Sequence, residues 1–209
     1  MNPLRNRQAV AATAARIMAE QGVESFLAAK QKAADQLGLG RQTRLPGNEE
    51  VAAALRGHLA LFGGRPWREA LDRRFAAALE TMELLQDFAP RLAGPLAEGL
   101  AHQHSPVVLH VFSDDPDAPL RLLLDRRIPY RLAERRGGQR GGRQPLIVLR
   151  GNDIRDDIRG DIRIELWVYA RHDLRLAPPS PIDGRPQVRL TVAETVAARE
   201  RSGLSAAQQ

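Results

Sequence analysis

Cysteine is absent from this 209-residue chain, which excludes disulfides, thiolate nucleophiles, thiolate zinc sites and iron–sulfur clusters in one step. Any metal therefore has to be held by His, Asp or Glu. Long hydrophobic runs are missing as well. Stretches such as residues 107–109 and 164–169 fall far short of a membrane span, and no signal-peptide-like apolar stretch opens the chain. The expectation is a folded cytoplasmic protein with no membrane partner. Lysine is scarce: Lys30 and Lys32 stand against 29 arginines.

What is present is a hydrophobic content of 43%, enough for one good core or two small ones, and hence for one or two domains. The formal net charge is +6 with a pI near 10.8, which permits a phosphate-rich partner. It does not require one. A GC-rich genome produces the same Arg-for-Lys, Ala-rich usage, and neither half of the chain is a polybasic arm: 12 basic and 10 acidic residues precede Pro90, and 19 and 15 follow it.

Residues 1 to about 90 carry apolar stripes at helical spacing: Val10, Ala14, Ile17 and Met18; Val51, Leu55, Leu59 and Phe62; Leu71, Phe75, Leu79, Met82 and Leu85. Gly22, then Gly38 and Gly40, then Gly63 and Gly64 punctuate them, Asn48 can cap the third helix, and Pro66 suits the first turn of a fourth. From Leu92 the period changes. Short strands are expected at about 92–98, 107–113, 128–132, 145–150 and 162–170, with one helix starting at Asp115 as N-cap and Pro116 in its first position. The acidic cluster Asp114, Asp115 and Asp117 reads as helix-start chemistry. The resulting fold class is mixed α/β (α+β): a helical subdomain over 1–90, a small mixed sheet with flanking helices over 91–178, and an extended C-terminal segment and tail over 179–209. Short Ala-rich helices bury little by themselves, so the helical part can equally serve as a homodimer interface.

Two segments stand apart. The Asp-Ile-Arg repeat over 153–163 reads as an enlarged hairpin turn; as a carboxylate metal loop it lacks glycine-centred calcium spacing. The stretch ERRGGQRGGRQ at 134–144 can wrap a phosphate or meet RNA, giving a nucleic-acid-binding or protein-interaction alternative, or it is a solvated loop between two strands.

The stretch from Gly94 to Asp114 resembles the nucleotidyltransferase superfamily, whose signature is a strand, a Gly-Ser turn, about ten residues, then Asp-x-Asp on the next strand and a third carboxylate on a later one. In that family the carboxylates hold two magnesium ions that align a triphosphate. Here the Gly-Ser position reads Gly99-Leu100, the Ser-Asp-h-Asp position reads Ser105-Pro106-Val107-Val108, and only the third carboxylate is kept, as Glu165. The resemblance covers about residues 91–170. It implies a degenerate nucleotidyltransferase-like protein that binds a nucleotide or other phosphate-bearing ligand without standard two-metal catalysis. The enzyme alternative is a nucleotidyltransferase with a rearranged metal site. The helical N-terminus followed by HSPVVLHVF also resembles bacterial proteins that carry the label UDP-N-acetylmuramate–alanine ligase, but the glycine-rich loop ending in Lys-Ser/Thr that such a ligase uses for ATP does not occur here.

Strand alternation puts Val108, His110, Phe112 and Asp114 on the face where that family displays its aspartates, so His110 and Glu165 form a candidate catalytic pair. His104, His110 and Glu165 are the candidate metal ligands, with magnesium or zinc as the cofactor in question. The alternative for these histidines is a buried, hydrogen-bonded structural role. Gly99, His102, His104 and Ser105 would line the crevice, with Arg131, Arg135 and Arg136 as phosphate contacts. Trp167 and Tyr169 share Glu165's face and serve either as a stacking platform or as core.

Overall fold

A computed structural model describes residues 3–40, 43–136, 143–154 and 162–202. Of the three or four N-terminal helices expected, four are present: α1 (Pro3–Gln21), α2 (Phe26–Gln36), α3 (Asn48–Phe62) and α4 (Gly64–Leu84). Gly22 and Gly38 follow the first two at φ +67° and +64°, the left-handed conformation that favours glycine. Ser25, not an apolar residue, precedes α2 and accepts the Ala28 N–H at 3.3 Å. Asn48 is the first residue of α3 and not its cap. Its side chain is taken by Lys30 (2.7 Å) and the Pro181 carbonyl (2.6 Å), while Glu50 accepts the Gly47 N–H (2.7 Å) and pairs with Arg7 of α1 (2.9 Å).

The remaining elements are β1 (Arg91–Ala93), α5 (Gly94–Ala97), β2 (Val107–Phe112), α6 (Ala118–Asp125), β3 (Arg131–Arg136), β4 (Arg143–Arg150), α7 (Gly151–Ile154), β5 (Arg163–Tyr169) and α8 (Val192–Arg201). The strands form one five-stranded mixed sheet in the order β1-β2-β5-β4-β3, in which only β2 and β5 run parallel. The mixed α/β class expected from the sequence is therefore what is found. Besides the Asn48 cap and the strand foreseen at about 128–132, which runs over 131–136, three local expectations differ. The strand foreseen at 92–98 stops at Ala93, because Gly94 takes φ +66° and Pro95 begins a helical turn. The helix foreseen from Asp115 begins at Ala118; Asp115 instead accepts the Asp117 N–H and pairs with Arg121, which holds its carboxyl below the ordinary range. The third is α8, which occupies part of the tail read as extended. Thr191 and Glu194 cap it reciprocally, and Arg199 reaches Asp72 of α4 at 2.7 Å.

Apolar burial falls into two clusters. One joins α4 to alternate residues of the sheet: Leu71, Phe75 and Met82 meet Val107, Leu109 and Val111 of β2 and Ile164 and Leu166 of β5. The other is confined to α1–α3 and Leu100, and half of it is alanine. In packing terms α4 thus belongs with the sheet, and the division runs between α3 and α4. Trp67 touches both clusters. Arg135 and Arg136 end β3, but their side chains, residues 137–142 of the Arg-Gly stretch 134–144 and residues 155–161 of the Asp-Ile-Arg repeat 153–163 lie outside the described residues.

Candidate functional site

All six residues of β2 are buried, so the strand is covered on both faces. Val107, Leu109 and Val111 face α4; Val108, His110 and Phe112 face the other way, beside Glu165, Trp167 and Tyr169 of β5 in the parallel register Val108↔Glu165, His110↔Trp167 and Phe112↔Tyr169. The shared face expected from alternation is therefore real. What covers it differs along its length.

At the Phe112 end it is closed by Arg189, from the segment that leads back to the edge of β1 through paired 2.8 Å bonds between Leu190 and Leu92. The Arg189 guanidinium lies 5.0 Å from the Phe112 ring centre and 5.1 Å from that of Tyr169, and its Nε donates to His110 Nδ1 at 2.9 Å. His110 is fully buried and stacks on Trp167 at 5.1 Å. Its imidazole is a core acceptor for an arginine, the structural alternative for this residue.

At the Val108 end a cavity of about 450 Å³ opens between the helical layer and the sheet. Its floor is Val108, Glu165 and Trp167; Gly94 and Pro95 form one edge; Phe26, Leu27 and Leu55 form the roof; and Pro181 and Gln187 of the C-terminal segment close a side. Gly94 is required here. A Cβ at this position would sit 3.1 Å from Val108 Cγ2, and its positive φ disfavours any other residue. Gly99, singled out from the sequence, ends α5 and does not line the cavity.

His102 and Ser105 do line it, held by a hydrogen-bonded loop. Ser105 Oγ accepts the His102 N–H at 3.0 Å, and His102 Nδ1 accepts the His104 N–H at 3.2 Å. Beneath the loop the buried Arg74 donates to the carbonyls of Ser105 and Ala70, both at 2.9 Å, and to that of Gln103. Burial, with the neighbouring His104 and Arg74, pushes His102 down to about 4, so its imidazole is neutral and its proton sits on Nε2.

Three carboxylates from separate elements reach the cavity: Glu24 between α1 and α2, Glu98 after α5, and Glu165. Glu165 is 7% exposed; one oxygen binds Arg163 and the other accepts the Trp167 indole N–H at 3.2 Å. Burial raises the Glu24 and Glu98 carboxyls above their ordinary range, opposed at Glu24 by Arg163 (3.5 Å) and at Glu98 by its bond from Ser180 (3.2 Å). None of the described residues lining the cavity is Lys or Arg.

Comparisons with protein families, curated proteins and solved structures found no match to this chain. The site therefore has to be read from its own chemistry. His102, Ser105 and Glu165, among the residues foreseen, meet at the cavity. His104 is exposed on the loop against Gly22, His110 lies under Arg189, and Arg131 is exposed on β3, at the far edge of the sheet. His104, His110 and Glu165 do not form a metal-ligating group, and no group of three His, Asp or Glu side chains suited to a metal occurs among the described residues. Nor is the two-magnesium site of the resembled family formed, in keeping with the degenerate reading, because Pro106 and Val108 offer no side-chain ligand atoms. Sequence reasoning missed Glu24, Glu98 and Gly94. Of these only Gly94, preceding proline after a strand, left a local signal.

Proposed function

We propose that this chain is a small-molecule-binding protein whose ligand enters the cavity at the helix–sheet junction, on a nucleotidyltransferase-like sheet that has lost two-metal chemistry. The observation that carries the reading is the placement of the cavity. It opens on Val108 and Glu165, the paired positions of the two parallel strands, and is bounded by the N-terminal helices, the sheet and the C-terminal segment. Its volume of about 450 Å³ falls within the range of ligand pockets, roughly 300–1,000 Å³. An apolar roof with a few convergent polar groups is the usual composition of such a pocket.

For a nucleotide, the carboxylates favour entry of the base and sugar, with phosphates left outside. The reading predicts that a bound ligand stabilises the wild-type protein by about 2.7 kcal/mol at 100 times its dissociation constant. Thermal shifts with nucleosides, nucleotides and uncharged or cationic fragments, each with and without Mg²⁺, Mn²⁺ or Zn²⁺, measure this. The shift should not depend on metal, and Val108→Phe, which fills the floor, should abolish it. A nucleotide that stabilises only with a metal would instead restore the transferase reading.

A further inference from the structure

We propose that the occupant of this cavity is a small organic cation, an amine carried on an aromatic or aliphatic body. The inference rests on the reading that the cavity binds a ligand, and it names that ligand's chemical class.

The argument is one of charge and shape together. The apolar part of the enclosure, Phe26, Leu27, Leu55, Leu100 and Val108, can cover a hydrophobic body but offers a charged group nothing. Glu24, Glu98 and Glu165 line the cavity from three separate parts of the chain, and acceptor-only carboxylates of this kind suit a donor-rich ammonium. Arg163, at the rim, is shared between Glu24 and Glu165. Glu98 has no ion pair among the described residues; Arg56 donates to its backbone carbonyl (3.2 Å) instead of its side chain. A cationic ligand would pair directly with a carboxylate that Arg56 acts on only through space.

Two further groups agree. Trp167 presents a ring fixed at both ends, its N–H held by Glu165 and its face stacked on His110, beside the place where an ammonium would meet Glu165. His102, the one basic side chain on the wall, is kept neutral by its burial and so does not repel a cation. A phosphate or carboxylate ligand would face three carboxylates with no lysine or arginine among the described lining residues.

The test uses three probes that share an indole body, tryptamine, indole-3-ethanol and indole-3-propionate, with AMP as a phosphate control. Binding to the whole protein at pH 7 is followed by titration calorimetry and ligand-observed NMR. Tryptamine should bind about tenfold or more tighter than the alcohol, as expected for a charge-assisted hydrogen bond, and the acid and AMP should bind more weakly still. Glu98→Gln should erase most of the preference for tryptamine while leaving the alcohol unchanged. Glu24→Gln, at a half-exposed position, gives the same reading if the first variant does not fold.

Equal affinity for amine and alcohol, with both lost in Val108→Phe, overturns the cationic class and leaves the binding reading intact. Tighter binding of the acid or of AMP overturns the class in the same way. Amine binding that survives both Val108→Phe and Leu27→Trp places the site elsewhere and overturns both. So does a wild-type protein that binds none of the indoles at millimolar concentration.

Discussion

A buried neutral histidine ties stability to pH in a direction that can be worked out from its neighbours. His102 has its folded pKa depressed to about 4 from 6.5 by burial first, then by His104 and Arg74. Between these values the unfolded chain binds the proton more readily than the folded one, so stability contributed by the neutral ring is present above pH 6.5 and lost as pH falls toward 4. The loss amounts to roughly 3 kcal/mol. His102→Asn keeps an acceptor near Nδ1 for the His104 N–H and removes the titration, so urea unfolding at pH 7 and pH 4.5 should show a smaller difference for the variant than for the wild type. Equal differences would remove His102 from the account. Arg74, directly below, satisfies two loop carbonyls, those of Gln103 and Ser105, and that of Ala70 in α4 with one side chain. Arg74→Met keeps the bulk and strips the donors, and should lower stability by about 2 kcal/mol or more, read as a fall in urea midpoint without a change in slope.

At the level of elements, the turn from β1 into α5 sets the cavity edge. Gly94→Ala forces a left-handed alanine, costing about 1–2 kcal/mol, and in addition drives a methyl toward Val108. Gly99→Ala meets the same backbone cost at φ +68° but nothing within 4 Å, so it should be the milder of the two by calorimetric Tm. Helix α8 gives a parallel test: Thr191→Ala removes the N-cap and should cost about 1 kcal/mol. These elements also mark how far the sequence could be read. The helical stripes of α1, α3 and α4 and the alternation of β2 and β5 depend on nearest neighbours, and they were legible. The segment 92–98 was not, because Leu92 and Leu96 fit either period and only Gly94-Pro95 distinguishes them. Helix α8 was hidden because its larger apolar residues, Val192 and Val196, are exposed and its inward residues, Thr195 and Ala198, are small. Within the site, alternation identified the face that holds Val108, His110 and Glu165, but not what covers it. Arg189 reaches His110 across 79 positions, and Glu24 and Glu98 reach the cavity from other layers; no local period encodes such meetings.

Across the whole molecule, the two apolar clusters differ in the side chains that fill them. The cluster of α4 and the sheet contains Phe75, Met82 and most of the buried leucines, isoleucines and valines; that of α1–α3 is half alanine. Burial of a large aliphatic or aromatic side chain contributes about 1.5–3 kcal/mol, and alanine far less, so the helical layer has less to oppose its conformational entropy. Polar ties that cross the cavity hold this layer to the rest: Asn48 to the Pro181 carbonyl and Arg56 to the Glu98 carbonyl. The layer that roofs the cavity is therefore also the layer that opens most easily, which would give a ligand its way in. Amide exchange should show α1–α3 exchanging through openings of lower free energy than β2, β5 and α4. Binding in the cavity should slow exchange in α2 and α3 first, because Phe26, Leu27 and Leu55, which would contact a ligand there, belong to the layer with less large apolar burial. Uniform protection across both clusters would mean that the molecule opens as one unit, and would remove the helical layer's separate opening from the account.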